Sequence, residues 1–260
     1  MMIKKITLLI LIALTLGSCG SKEKIVYFQN ISSVLPTEKI SYEPSIKSDD
    51  LLVITVFSPT PEAALRFNLS TTQVPQSPNV VSSATSAQQE VFYTYLVDND
   101  GNIHFPIIGD IKLSGLTKTE ALAKLNSLLG EYITKPISVI RIVNFKVSVL
   151  GEVTRPGEVD IRSERITLPE AISKAGDLTI YGRRDNILVI REIDGQKTYN
   201  YIDLTKADFV KSPFYYLTQN DVIIVEPNKT RIGSSVIGPN TSIIFTSISL
   251  LIAIVALMTR

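Results

Sequence analysis

The sequence predicts an α+β protein: two small mixed α/β units followed by a C-terminal transmembrane helix. Three observations predict it. The order strand, glycine turn, strand, capped helix occurs twice, once around Gly101 and once around Gly157. Short apolar runs alternate at period two between clusters of Gly, Pro, Asn and Asp, the pattern of half-buried strands. Ser242 to Met258 (SIIFTSISLLIAIVALM) carries no charge, Pro or Gly. Two related units account for the repetition better than a long-period solenoid.

Composition narrows the function classes. The 260 residues carry a formal charge of +1, no Trp, one Cys and one His. No global field points to nucleic acid or an acidic partner. One Cys and one His exclude an intrachain disulfide framework and a Cys/His zinc cluster. The glycines at 233 and 238 do not fit a phosphate loop, and no cofactor site is read. The sole His104 sits in a strand without a nucleophile or acid partner, which favours a structural or exposed role over catalysis.

Taken in order, residues 1–18 read as a bacterial signal peptide, with Lys4 and Lys5 before an apolar run from Ile6 to Leu16. Leu16-Gly17-Ser18-Cys19 resembles a lipobox, so Cys19 is expected to carry a covalent lipid. Removing residues 1–18 leaves 24 basic and 25 acidic side chains, a charge of −1. Several acyl chains make a durable anchor, at about 0.8 kcal/mol per buried CH₂. Residues 19–40 are polar and are expected to form an extended tether. Leu51 to Phe57 (LLVITVF) is rich in β-branched residues and reads as a buried strand. Residues 58–90 are rich in Ser, Thr, Pro, Gln and Asn, with no charge between Arg66 and Glu90. An insertion of that length is either a flexible surface loop or a contact to a neighbouring subunit or peptidoglycan.

Phe92 to Val97 resumes as a strand. Asp98 to Asn102 is a turn cluster in which Gly101 supplies positive φ. Ile103, Phe105 and Ile107 alternate with His104 and Pro106, and Pro106 argues for an edge. Ile108-Gly109-Asp110 turns the chain into Ile111 and Leu113. Thr117 to Glu120 is a capping box, and Leu122, Leu125, Leu128, Leu129 and Tyr132 make one apolar helix face. Ile137 to Val143 and Phe145 to Val153 are strands. Arg155-Pro156-Gly157 fits a type II turn, with Val159 and Ile161 on the return. Thr167 to Glu170 is a second capping box, and Gly176 closes that helix in the left-handed region. Ile187 to Ile193 and Thr198 to Leu204 flank a hairpin turn, and Asn220 to Pro227 is the last strand. Arg183-Arg184 is either a solvated charge pair or a contact to an acidic sugar or partner.

In the C-terminal run Ser242, Thr246, Ser249, Ala253 and Ala256 recur at steps of four and three, so they share one face of a helix. Such a stripe suits close helix packing or a wet lumen rather than a plain anchor. Seventeen helical residues span about 26 Å, which fits a thin bilayer.

The residues DG.I.FP.IG.I…GLT..EA, with Asp100, Gly101, Pro106 and Gly109, resemble the export domain of Wza-type polysaccharide export proteins. GEVTRPGEVDI, with Gly151, Pro156 and Gly157, resembles a SLBB domain, a β-grasp-like module. Ser48-Asp49-Asp50 stands where the family has Pro-Gly-Asp, and Gly176-Asp177 where it often has Gly-Gly. The resemblance implies an export domain over 41–143 containing the 58–90 insertion, a SLBB domain over 144–230, and a membrane helix over 241–258. It implies no enzyme but a lipoprotein of the bacterial outer membrane, its bulk periplasmic. Copies would form a homo-oligomeric ring exporting capsular polysaccharide or exopolysaccharide, gated by an inner-membrane co-polymerase or chain-length regulator. The alternative is a lipid-anchored module that binds a glycan or partner without forming a pore. Polysaccharide cleavage would need paired carboxylates, and the acids here fall mainly in turns and caps.

Overall fold

A computed structural model describes residues 22–31, 42–69, 93–193 and 195–236, and seven positions between 246 and 254. The expected signal peptide, Cys19, Ser242, Ala256 and residues 70–90 of the insertion lie outside the described residues. Two hydrophobic cores divide the chain, and Ile142 packs against both.

The first unit contains β1 (Leu51–Phe57), α1 (Pro61–Leu65), β2 (Thr94–Leu96), β3 (Asn102–Phe105), β4 (Gly109–Lys112), α2 (Lys118–Leu129) and β5 (Ile137–Ile142). β1 lies between β2 and β5, antiparallel to both, and β3 and β4 form a separate hairpin. Leu52, Ile54 and Val56 point inward from β1 to meet Ile103, Phe105, Ile111 and Leu113 of the hairpin. Thr117 caps α2 reciprocally: its amide donates to the Glu120 carboxylate at 2.8 Å and its hydroxyl accepts from the Glu120 amide at 3.3 Å. The helix buries Ala121, Leu125 and Leu129, four residues apart, against the sheet.

The second unit contains β6 (Lys146–Gly151), β7 (Gly157–Asp160), α3 (Leu168–Lys174), β8 (Gly182–Ile193), β9 (Gln196–Ile202), a 3-10 helix (Ala207–Lys211), β10 (Val222–Pro227) and α4 (Lys229–Val236). Its five-stranded sheet runs β7-β6-β10-β8-β9, with β10 parallel to β6 and the other pairs antiparallel. Thr167 caps α3 with the same reciprocal bonds to Glu170, again at 2.8 and 3.3 Å. Gly176 ends that helix at φ +80.

Residues 22–31 do not run free as a tether; they dock on the second unit. The Phe28 and Gln29 amides donate to the carbonyls of Leu204 and Thr205, Tyr27 donates its hydroxyl to Asp177 at 2.6 Å, and Phe28 packs on Phe209.

The structure corrects several expectations. No helix among the described residues is long and apolar enough to cross a membrane. A span needs about 20 apolar residues. The longest described helix, α2, has 12 and carries Lys118, Glu120 and Lys124. Among the described residues the fold is therefore mixed α/β in two units, and the expected transmembrane helix is not supported. Of that stretch, Thr246, Ser247, Ser249, Leu250, Leu251, Ala253 and Ile254 are described; they are helical and exposed.

β1 is buried on one face only: Leu52, Ile54 and Val56 are buried, whereas Leu51, Val53 and Thr55 are half-buried and Phe57 is exposed. Ile107 is not on the inner face: Pro106 ends β3, and Ile107 sits in the turn at φ +69, 56 % exposed. Tyr132 lies beyond α2 and is exposed. Gly157 takes φ +154 and opens β7, whereas a type II turn needs about +80 at that position.

Gly151, at φ +89, brings its backbone against β10: an added Cβ would lie 2.1 Å from the Val225 carbonyl oxygen. Gly109 has a similar φ of +87 with nothing within 4 Å of an added Cβ. Gly109→Ala is expected to cost about 1–2 kcal/mol in urea unfolding, the left-handed penalty alone. Gly151→Ala should cost clearly more, on the order of 3 kcal/mol or above. Equal losses would show that β10 yields to the new methyl group.

Candidate functional site

The two units meet at Asn144, which fills the short link between β5 and β6. Its side-chain oxygen accepts from the Leu51 amide at 2.9 Å, and its amide nitrogen donates to the Asp49 carbonyl at 2.8 Å. Its own carbonyl accepts from Gln219 at 2.9 Å, and the Gln219 side-chain oxygen accepts from the Lys146 amide at 2.9 Å. One polar side chain from each unit thus closes the main chain of the junction.

Behind this link lies a buried ion pair. Arg191 and Asp221 have side chains only 7 % and 1 % exposed, and Arg191 donates from Nε at 3.0 Å and Nη2 at 2.7 Å. Arg191 also donates to the carbonyls of Pro213 and Tyr216. Asp221 accepts from the Thr218 amide and hydroxyl at 2.8 and 2.9 Å. The Thr218 hydroxyl in turn accepts from Lys47 of the first unit at 3.2 Å. The burial cost of the pair is offset because its donors and acceptors are nearly all engaged. Burial pushes the Lys47 ammonium below its usual range. Nearby, Tyr42 stacks on Tyr216 with centroids 4.6 Å apart and donates its hydroxyl to the Leu217 carbonyl. A Lys118–Glu164 salt bridge makes a further crossing.

Between these contacts opens a cleft of about 910 Å³, with walls from both units. The first unit contributes Tyr42, Glu43, Lys118 and Arg141, and the second contributes Phe145 and the Asp160–Arg165 segment. Glu43 is already committed: its carboxylate accepts from the Thr119 amide and hydroxyl at 2.6 and 2.9 Å. A second surface lies on the uncovered face of the three-stranded sheet. Phe57, Leu96, Ile137, Val139 and Val143 are exposed there. The register sets Leu51 opposite Leu96, Thr55 opposite Val139 and Phe57 opposite Ile137.

The turn residues singled out in the sequence do not line the cleft. Asp100 and Gly101 form the turn before β3, where the Gly101 carbonyl accepts from the Leu113 and Ser114 amides. Gly101 is at φ +82, and an added Cβ would meet the Ser114 Cβ at 2.5 Å. Pro106 and Gly109 shape the β3–β4 turn, and Gly151 and Pro156 lie in the β6–β7 connection. His104 is exposed and sits 2.9 Å from Asp110 across the hairpin. Arg183 pairs with Asp185 and Glu226. Arg184 is buried, donating to the carbonyls of Thr179 and Gly182 with its guanidinium over Tyr27. Arg184 is therefore not solvated, whereas Arg183 stays partly exposed and is engaged by its two carboxylates. Among the described residues no group of three or more His, Cys, Asp or Glu could hold a metal ion. Sequence reasoning missed Asn144, Gln219 and Arg191. The one available signal was a polar Asn interrupting the apolar run between two strands.

Comparison with known proteins adds the lineage. A family model described as polysaccharide biosynthesis/export protein matches residues 38–143, and a SLBB domain model matches residues 145–225. The chain is similar to the EPS I polysaccharide export outer membrane protein EpsA of Ralstonia solanacearum, 27 % identical over 154 residues. That match covers 56 % of this chain and 40 % of the relative. The protein of the same name from Ralstonia nicotianae is 32 % identical over 101 residues, 37 % of this chain and 26 % of the relative. The chain thus spans less than half the length of either relative.

Two outcomes follow at the junction. Asp221→Ala strands the Arg191 charge in the core and is expected to cost about 3–5 kcal/mol in chemical unfolding; a loss under about 1 kcal/mol would mean that water reaches the pair. Asp50 is fully buried with one carboxylate oxygen unpartnered among the described residues, the other accepting from the Lys47 amide at 2.8 Å. Burial raises its pKa from 3.8 to about 6. The fold therefore disfavours the charged form, and the cost is absent below about pH 4 and fully present above about pH 6. As pH falls from 7 to 4, the wild type should gain stability relative to Asp50→Asn, by at most on the order of 3 kcal/mol. Parallel pH profiles for the two proteins would exclude this linkage.

Proposed function

Since the chain belongs to the polysaccharide biosynthesis/export protein family, with a SLBB domain behind its export domain, we propose that it is an outer-membrane component of a polysaccharide exporter. The observation that carries this reading is the pair of adjacent matches, the export model over residues 38–143 and the SLBB model over residues 145–225. The names of the Ralstonia relatives point the same way. In this reading a lipid on Cys19 holds the protein at the periplasmic side of the outer membrane. Copies assemble around an axis and enclose the path of a capsular or extracellular polysaccharide. An inner-membrane co-polymerase or chain-length regulator delivers the polymer. The work is passage and guidance of a polymer rather than bond making.

Two structural features support the assembly. A ring built by head-to-tail contacts needs rigid subunits, and the Asn144–Gln219 clamp with the Arg191–Asp221 network joins the two units at several points. A contiguous apolar patch on a folded surface commonly marks an interaction site, and the outer face of the β2-β1-β5 sheet is such a patch. The cleft favours a second reading, a lipid-anchored glycan-binding module that works as a monomer.

The native mass of the mature lipoprotein in mild detergent separates the two. The exporter reading expects a discrete multi-copy particle, which Val139→Lys on the sheet face weakens or dissociates while the unfolding midpoint of the subunit is kept. A monomer at all concentrations moves the assignment to the binding module. A deletion strain should retain polymer inside the cell envelope and lose it from the surface.

A further inference from the structure

We propose that the cleft between the two units binds an anionic glycan segment, one bearing carboxylate groups, through Arg141, Arg162 and Arg165. The inference rests on the export reading and names the substrate chemistry.

Charge accounting at the cleft comes first. Of its cations, Lys118 is paired with Glu164, and of its acids, Glu43 accepts hydrogen bonds from Thr119. Arg141, Arg162 and Arg165 have no carboxylate partner among the described residues. Asp160 and Glu43 are the lining acids there without an ionic partner among the described residues, so the lining sets four cations against three carboxylates, an excess of one positive charge. Three guanidiniums around one concavity repel one another, and an anion relieves that repulsion. The planar fork of arginine matches a carboxylate with two parallel hydrogen bonds, which a lysine cannot do.

The second consideration is shape. The volume of about 910 Å³ lies within the range of about 300–1,000 Å³ typical of small-molecule sites, and suits a short oligosaccharide better than a lone ion. Arg165 is held over the Tyr216 ring at 5.4 Å, and Tyr42 backs the same ring. Tyr42, half-buried, gives the wall aromatic surface for the apolar face of a sugar ring. Because both walls are fixed by the junction, little ordering cost remains for the ligand to meet.

An acidic peptide carries the same carboxylates. It would gain most by adding a strand along β5, which is an edge of its sheet. At Ser138 that edge is engaged by α2: Asn126 accepts from the Ser138 amide at 3.0 Å and from the Ser138 hydroxyl at 2.8 Å. The glycan is therefore the occupant the geometry favours.

The test is calorimetric titration of the full-length protein in detergent with a galacturonate hexamer, a neutral maltose-series hexamer and a glutamate hexapeptide, at about 0.1 M salt. The acidic sugar should bind at least about tenfold more tightly than the other two, and Arg141→Gln with Arg162→Gln should weaken it at least about tenfold. Both arginines are exposed and pair with no acid, so the variant should keep its unfolding midpoint. Absence of binding, an unaffected variant, or tighter binding of the peptide each overturns the site. A deletion strain keeps the two readings apart. If it still displays surface polymer, the export reading itself falls. If it loses the polymer and the double variant restores it fully, only the cleft assignment falls.

Discussion

Asn144 uses its side-chain oxygen, side-chain nitrogen and main-chain carbonyl to tie the end of β5 to the start of β1 and to Gln219. The other crossings depend on this geometry. Lys47 reaches Thr218, and Tyr42 lies flat on Tyr216, only because the link between β5 and β6 holds the two sheets in one relation. The junction is polar where a domain interface could have been apolar. Polar contacts of this kind contribute modest net stability but strong directionality. They specify one arrangement of the two units, and the walls of the cleft inherit that definition.

The two units reuse one local recipe with different outcomes. In each, a hairpin leads to a helix started by Thr and Glu three residues apart. In the first unit the hairpin β3–β4 remains a two-stranded piece that packs across β1. In the second, the hairpin β6–β7 is absorbed into a larger sheet because β10 returns parallel to β6. The local sequence determines turn and cap. Which edge is extended depends on strands supplied much later in the chain.

That division explains how much the sequence disclosed. Thr117 and Thr167 were legible because capping is a short-range exchange between a hydroxyl and an amide three residues on. The β8–β9 hairpin was legible for the same reason. Ile107 was misplaced because alternation continues on paper past Pro106, whereas the chain turns there. The periodicity of α2 points inward with Leu122, Leu125, Leu128, Leu129 and Tyr132, but Ala121 is buried with Leu125 and Leu129 and Tyr132 lies exposed beyond the helix; a small residue allows close approach to the sheet. The apolar run after Ser242 looked like a span from composition alone, yet no described helix meets the length and hydropathy of one. Within the candidate site, the ion pair of Arg191 and Asp221 joins residues 30 positions apart, a distance at which no periodicity speaks. The cleft arginines come from β5 and from the loop after β7, which adjoin only once both sheets are folded.

The docking of residues 22–31 on the second unit bears on the order in which the protein takes shape. Tyr27 meets Asp177, and Asn30 meets Ala207 and Asp208, across separations of 150 to 178 residues. A ribosome makes this strap early, but the surface that receives it is not complete until Phe209 has been made. The segment 22–31 must therefore stay unfastened until Phe209 has been made. Its seating is one of the slow, non-local closures of folding. An early segment is latched only after residues 204–209, made much later, have formed their surface.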